Sequence, residues 1–357
     1  MAKVLIVGAG PGGASLAYLL TRRGVPVTLL ERNTDFAREF RGEVLLPSGL
    51  DALDQMGLWP ALEEVKQVKL EGGELYLNGE HRLGIGFAPA SFGKFAPRWM
   101  SQPELLEMLI ARSSEYPNFR FERGVTVRSL LREGERFVGV RALASEQERD
   151  YRADLVVGAD GRSSVVRRRA NLPETLDPTP MDVVWCRLPQ PAYARKAKTL
   201  RAYVGHGHLL IAAPIYDDML QMAWVIRKGS FGELRERGMP ACLEEMAKHV
   251  SPDLAQHIRR YKDESVEPFL LWTVSDRVLR WTAPGLLVIG DAAHTMSPVG
   301  AQGINIALRD SIVAANQLVP VLLGSAQPQD IDAATFRVEK ERVPEVSRTQ
   351  RLQARPP

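Results

Sequence analysis

Buried-type apolar runs at 4–7, 153–157 and 285–289, a glycine turn at 8–13, and a turn-rich, β-rich middle from 181 to about 264 predict an α/β fold. The expected architecture is a Rossmann-type domain interrupted by a mainly antiparallel β-sheet domain. Val4, Leu5, Ile6 and Val7 form the continuous apolar run of a strand covered on both faces. Gly8, Gly10 and Gly13 then fit G-x-G-x-x-G. The first glycine allows the tight turn and the second lets backbone approach a pyrophosphate. The third lets the next helix sit close on the sheet with its N-terminal N–H groups aimed at the anion. Residues 26–30 read as the second strand, and Glu31 at its end is placed to accept ribose hydroxyls. Together these features point to a dinucleotide, with NAD and FAD equally compatible so far.

Pro47 suits a first helical turn, with Leu50, Leu53 and Met56 on one face and Gly57 at the end. Residues 68–99 alternate apolar and polar around Gly72-Gly73 and Asn78-Gly79, which predicts a hairpin. Ser101 with Glu104 makes a capping box ahead of the apolar run 105–110, hence a helix. Short strands are expected at 119–122, 125–131 and 137–143, and the strand at 153–157 runs into GADGRSS. Amphipathic stretches occupy 232–250 and 252–261. A long helix after GDAAH carries the stripe Ile304, Leu308, Ile312, Ala315, Val319 and Leu322. The expected division is therefore a discontinuous nucleotide-binding domain (1–67, 100–180 and 265–330), a β-sheet substrate domain (68–99 and 181–264), and a helical tail from 331 to 357 that reads as a cut end.

Composition narrows the class. The 357 residues are 45% hydrophobic and 25% charged, with a mean hydropathy of −0.16. A formal charge of +3 without a dense basic cluster argues against nucleic acid. Cys186 and Cys242 make neither a CxxC nor a metal-ligand spacing, and such usage suits a reducing cytoplasm. The apolar start runs straight into the glycine turn, unlike a signal peptide. No stretch is expected to reach the ~20 apolar residues of a membrane span.

Two later motifs separate FAD from NAD. Gly158-Ala159-Asp160-Gly161-Arg162-Ser163-Ser164 lies between a strand and a helical stretch. Gly290-Asp291-Ala292-Ala293-His294 is followed by Pro298-Val299-Gly300-Ala301-Gln302-Gly303-Ile304-Asn305. An Asp at the end of a buried strand can hold a ribityl hydroxyl, and the glycine-rich loop delivers bare N–H groups at a helix start. With these three motifs in order, the chain resembles the single-component FAD monooxygenases of the para-hydroxybenzoate hydroxylase class, from Met1 to about Leu323.

The resemblance implies an FAD site at Gly8, Gly10, Gly13, Glu31, Arg32, Arg41, Gln102, Val127, Asp160, Asp291, Pro298, Gly300, Gly303 and Asn305. The family usually has Arg where Gln102 stands. It also implies hydride transfer from NAD(P)H, capture of O2 as a flavin C4a-hydroperoxide, and hydroxylation of a small aromatic or polycyclic substrate by a monomer or homodimer. The protein positions the substrate and excludes water while the cofactor carries the chemistry. No metal or protein nucleophile is expected; Arg41, His294 and Pro298 are the candidate catalytic contacts. The antiparallel segments should roof the cofactor, making side chains from Trp185 to Trp224 substrate candidates, Arg187, Tyr203, His206, His208, Tyr216 and Trp224 foremost, against the alternative of sheet packing. Arg162 and Arg167 are open between phosphate contacts and surface ion pairs.

Three other readings use the same fold: a flavin reductase of prenyl double bonds, a flavin halogenase, and a non-catalytic flavin-fold binding protein. The halogenase signature Trp-x-Trp-x-Ile-Pro meets only Ala223-Trp224-Val225-Ile226-Arg227 here.

Overall fold

The computed structural model describes every residue except 1, 38–42, 178–180, 206, 263, 265, 267, 272, 274, 299, 326 and 354–357. Its eight-stranded sheet is centred on Ala2–Val7, which pairs in parallel with Val27–Glu31 on one side and with Gln147–Gly158 on the other. Leu286–Val288 and Phe119–Arg123 extend the parallel set. The first half of Gln147–Gly158 leaves this set and pairs antiparallel with Arg136–Ala144, which pairs in turn with Val125–Glu133. Val4, Ile6 and Leu155 are fully buried, as a strand sandwiched on both faces requires.

Helix Pro11–Arg22 lies against helix Gln302–Leu323, where Ser311 Oγ donates to the Gly12 carbonyl at 2.7 Å. Gln302–Leu323 has the length and composition of a membrane span, contrary to the expectation that no stretch would. It is packed among Pro11–Arg22, Pro47–Gln55 and the tail helix Pro328–Gln353, so its apolar face serves the core. The capping box is only half formed. Ser101 Oγ accepts from Glu104 N, but the Glu104 carboxylate accepts from the Lys66 backbone instead, because the Ser101 N–H is already donated to the Lys66 carbonyl.

A seven-stranded sheet runs in the order Phe269–Leu271, Met181–Pro189, Met219–Arg227, His208–Ile215, Thr199–Gly205, Gly72–Leu77, Glu80–Gly86. Only the Thr199–Gly205/Gly72–Leu77 pairing is parallel. Asn78 and Gly79 both take positive φ and close the hairpin. Phe269–Leu271, from a stretch expected with the nucleotide-binding domain, joins this sheet because its backbone completes the edge of Met181–Pro189. Alternation divides the sheet cleanly. Val184, Cys186, Leu210, Met222 and Trp224 face helices Met239–Ala247 and Pro252–Arg260, whereas Val183, Trp185, Ala213 and Ala223 face the nucleotide-binding side.

Candidate functional site

A groove of about 400 Å³ opens along the carboxyl ends of the parallel strands, the usual ligand edge of such sheets. At one end Gly8 turns with φ +99°, and a side chain there would fall 2.5 Å from the Ala159 carbonyl. A Cβ on Gly13 would sit 1.9 Å from the Gly8 carbonyl, so this glycine lets the helix approach from behind the groove. Gly10 instead faces open space, and helix Pro11–Arg22 begins there with no side-chain cap, leaving its first N–H groups to whatever occupies the groove. Glu31 is 4% exposed; its carboxylate accepts from Ala9 N at 2.9 Å and Asn33 N at 3.0 Å, which pins it at the strand end.

Gly8, Gly10, Glu31, Arg32, Gln102, Val127, Asp160, Asp291, Pro298 and Gly303 all line this groove. Asp291 pairs with Arg162 at 3.4 Å across its middle. Asp160 is committed to the protein: it accepts from Ser164 Oγ and from the Val165 and Val166 N–H groups, holding the start of helix Val165–Arg169. Burial pushes its carboxyl up, and those hydrogen bonds pull against the shift. Arg167 is buried and paired with Glu174 and Asp276, behind the groove lining. Arg41 lies outside the described residues, as does His206.

Two expected contacts stand behind the groove. Asn305 is fully buried; its Oδ1 accepts from Leu46 N at 2.9 Å, and its Nδ2 donates to the carbonyls of Ala301 and Val44. It fastens the glycine-rich loop to the segment before helix Pro47–Gln55 and has no donor left to present. His294 is likewise fully buried, with Nε2 2.7 Å from Asp310 and its ring 5.0 Å from that of Trp281. Asp310 also accepts from Gly290 N and from Arg342 Nε of the tail helix. His294 therefore belongs to a buried brace under the Gly290-Asp291 turn and is corrected from catalytic contact to scaffold. Gly300 is exposed beside the groove with φ +79°.

The substrate candidates divide by sheet face. Tyr203 and Trp224 point to the helix-covered side, where the Tyr203 hydroxyl bonds Ser251 Oγ and Trp224 Nε1 donates to His208 Nδ1. They are packing residues, and the reason is register: Leu210 on the helix-covered face stands opposite both Tyr203 and Trp224, so all three share that face. His208, Glu245 and His249 offer ligand atoms within 4.8 Å, but the Trp224 indole already holds His208 and Lys248 pairs with Glu245. Arg187 and Tyr216 lie on the groove side, where both meet Glu43.

Glu43 and Trp99, also on this side, lie outside the stretch expected to hold the substrate, whereas Trp185 and Gln221 lie within it but were not singled out. Glu43 is 4% exposed and accepts from Tyr216 Oη at 2.9 Å. Burial raises its carboxyl, opposed in order by the Arg187 charge, the Tyr216 hydroxyl, the Gln102 backbone and the Trp99 indole. The Tyr216 phenol is pushed up to about 12 by burial and by Glu43, so it stays a donor. An acidic residue directly before the apolar run 44–46 was the available signal.

A dinucleotide groove with a glycine turn at one end and a glycine-rich loop at the other, beside an antiparallel sheet, defines the class of FAD-dependent oxidoreductases. Residues 1–348 match the FAD binding domain family. The 6-methylpretetramide 4-monooxygenase of Streptomyces rimosus is 34% identical over 98% of this chain and 82% of its own length. Squalene monooxygenase 1,2 of Brassica napus is 28% identical, and the match spans 89% of this chain but 61% of that protein. The crystal structure of P. aeruginosa PqsL in complex with 2-aminobenzoylacetate superposes with a TM-score of 0.84 at 23% identity, covering 98% of this chain and 94% of that one. The chain belongs to the FAD binding domain family, and it is an FAD-dependent monooxygenase.

Proposed function

We propose that the chain uses NAD(P)H and O2 to hydroxylate a polycyclic aromatic substrate, with FAD seated along the groove. The observation that carries the reading is continuity. Leu271 lines the groove and also belongs to the apolar sheet face formed by Val183, Trp185, Ala213 and Ala223. A substrate held on that face lies beside the glycine-rich loop, whose Ala301 packs into the same cluster. In this reading Gly8, Gly10 and the uncapped helix start receive the pyrophosphate, Glu31 the adenosine ribose, and Arg32 and Val127 flank the adenosine. Asp291 takes the ribityl chain, and Pro298, Gly300 and Gly303 border the ring.

When bound, FAD supplies the redox and oxygen chemistry. The protein's share is to orient the aromatic ring on Trp185 and Leu271, to keep water from the apolar face, and to hold the loop through Asn305. A polycyclic substrate is supported by the name of the Streptomyces relative. The expectation of a reducing cytoplasm is supported by Cys186 and Cys242, both buried free thiols; a monomer or homodimer is proposed.

The test is a panel of phenols and polycyclic aromatics with FAD-loaded protein, following NAD(P)H oxidation, O2 uptake and product mass. A product heavier by one oxygen supports the proposal. Anaerobic turnover to a product heavier by two hydrogens would establish the reductase reading instead.

A further inference from the structure

On the groove side of the seven-stranded sheet, Trp185 and Arg187 are two residues apart, with Ala223 and Gln221 directly opposite them. Trp185 and Gln221 are thus diagonal neighbours on one face. Arg187 Nε donates to Gln221 Oε1 at 3.2 Å, and Arg187 Nη2 lies 3.4 Å from both Glu43 Oε2 and the Tyr216 hydroxyl. The positive charge is therefore matched by a buried carboxylate. Two donors next to it have no acceptor among the described residues: Gln221 Nε2, on a residue 1% exposed, and Trp185 Nε1, on a residue 6% exposed. Buried N–H groups are nearly always paired, so two orphans on one face beside the glycine-rich loop point to an acceptor supplied from outside the chain.

We infer that this cluster is the polar pole of the substrate site, and that it selects a neutral aromatic bearing a carbonyl or carboxamide oxygen and discriminates against aromatic carboxylates. The inference rests on the hydroxylase reading and adds the substrate's charge and functional group. A neutral carbonyl oxygen satisfies Gln221 Nε2 and Trp185 Nε1 without disturbing the Arg187–Glu43 pair. A carboxylate entering the same place meets an arginine whose charge is already balanced, and it brings a second negative charge close to Glu43 inside a region shielded from water.

The experiment compares a hydroxynaphthamide with the hydroxynaphthoate of the same ring pattern, each titrated into FAD-loaded protein and read by flavin absorbance and fluorescence. The wild-type chain should bind the amide at least about tenfold more tightly. Glu43→Gln, which keeps the Tyr216 and Arg187 contacts but removes the charge, should raise carboxylate affinity about tenfold and narrow or invert the ratio. Gln221→Leu should weaken amide binding by a similar factor. A wild-type preference for the carboxylate overturns the inference, as does an unchanged ratio in Glu43→Gln of normal flavin content. The wild-type ratio needs no variant to fold. Selective amide binding without any oxygenated product from NAD(P)H and O2 would support the polar pole and sink the hydroxylase reading. Preferential oxygenation of carboxylates would do the reverse.

Discussion

Replacing Asp310 with asparagine should loosen the brace that joins the tail helix to the Gly290-Asp291 turn. The wild-type carboxylate is fully buried and accepts from three sides: Gly290 N at 3.0 Å, His294 Nε2 at 2.7 Å and Arg342 Nε at 2.7 Å. Asparagine keeps the shape but must turn its NH2 either toward Arg342 or toward Gly290, setting donor against donor. It also leaves Arg342, 2% exposed, with Glu345 as its remaining carboxylate partner. Removing one partner of a buried ion pair costs about 3–5 kcal/mol. An unfolding entropy of about 2.1 cal/mol/K per residue amounts to about 0.75 kcal/mol/K for 357 residues, so the melting temperature should fall by about 4–7 °C.

The pH dependence fixes the mechanism. Burial alone would raise the Asp310 carboxyl, but the His294 and Arg342 charges outweigh it and hold the group below its ordinary value of 3.8. Its stabilisation is therefore complete above pH 3.8 and is lost as pH falls through the lower folded value. The gap between wild type and Asp310→Asn should close over that same window. Scanning calorimetry of both proteins across the acid range is the assay. A shift under about 1 °C at neutral pH, or a gap that persists unchanged in strong acid, would show that Asp310 does not brace the turn through its charge.

The glycine turn and the loop staple give sharper contrasts. Gly13→Ala should yield protein with little flavin and low stability, because its Cβ would collide with the Gly8 carbonyl at 1.9 Å; flavin-to-protein absorbance ratios check this. Gly10→Ala has open space at its Cβ and should leave the melting temperature of the flavin-free protein nearly unchanged while weakening FAD binding about tenfold or more, measured by flavin fluorescence titration. Asn305→Ala removes the hydrogen bonds to Leu46, Val44 and Ala301 and should cost about 2–4 kcal/mol in denaturant unfolding. An Asn305→Ala protein of wild-type stability would show that the loop is held by other contacts.

What the sequence made legible was local. The strand, glycine turn, helix and terminal Glu31 are contiguous, and each residue's demand is set by backbone geometry within a few positions, so Gly8, Gly10 and Glu31 were found together. Asp160 was legible as a strand-end acid but not as a helix holder, since that depends on which way its carboxylate turns. Alternation identifies residues that share a sheet face, yet which face meets the groove is decided by helices far along the chain; Tyr203 and Trp224 were therefore misplaced, and Trp185 and Gln221 were not singled out within the stretch 185–224. His294 and Asn305 sit in motifs beside the cofactor site, and a motif does not show whether a polar side chain looks into a groove or behind it. The Asp310–Arg342 pair links positions 32 residues apart on two helices, and no periodicity signals it.

Transfer of one atom of O2 to an aromatic substrate at the expense of NAD(P)H can be read from the product itself. The most direct measurement is turnover of a neutral phenolic amide by the FAD-loaded protein under isotopically heavy O2, with the product weighed by mass spectrometry. One labelled oxygen per product molecule is expected, with NAD(P)H oxidation stimulated by the substrate. A product that gains two hydrogens and no label, or label absent from a product formed at the same rate without O2, would contradict it.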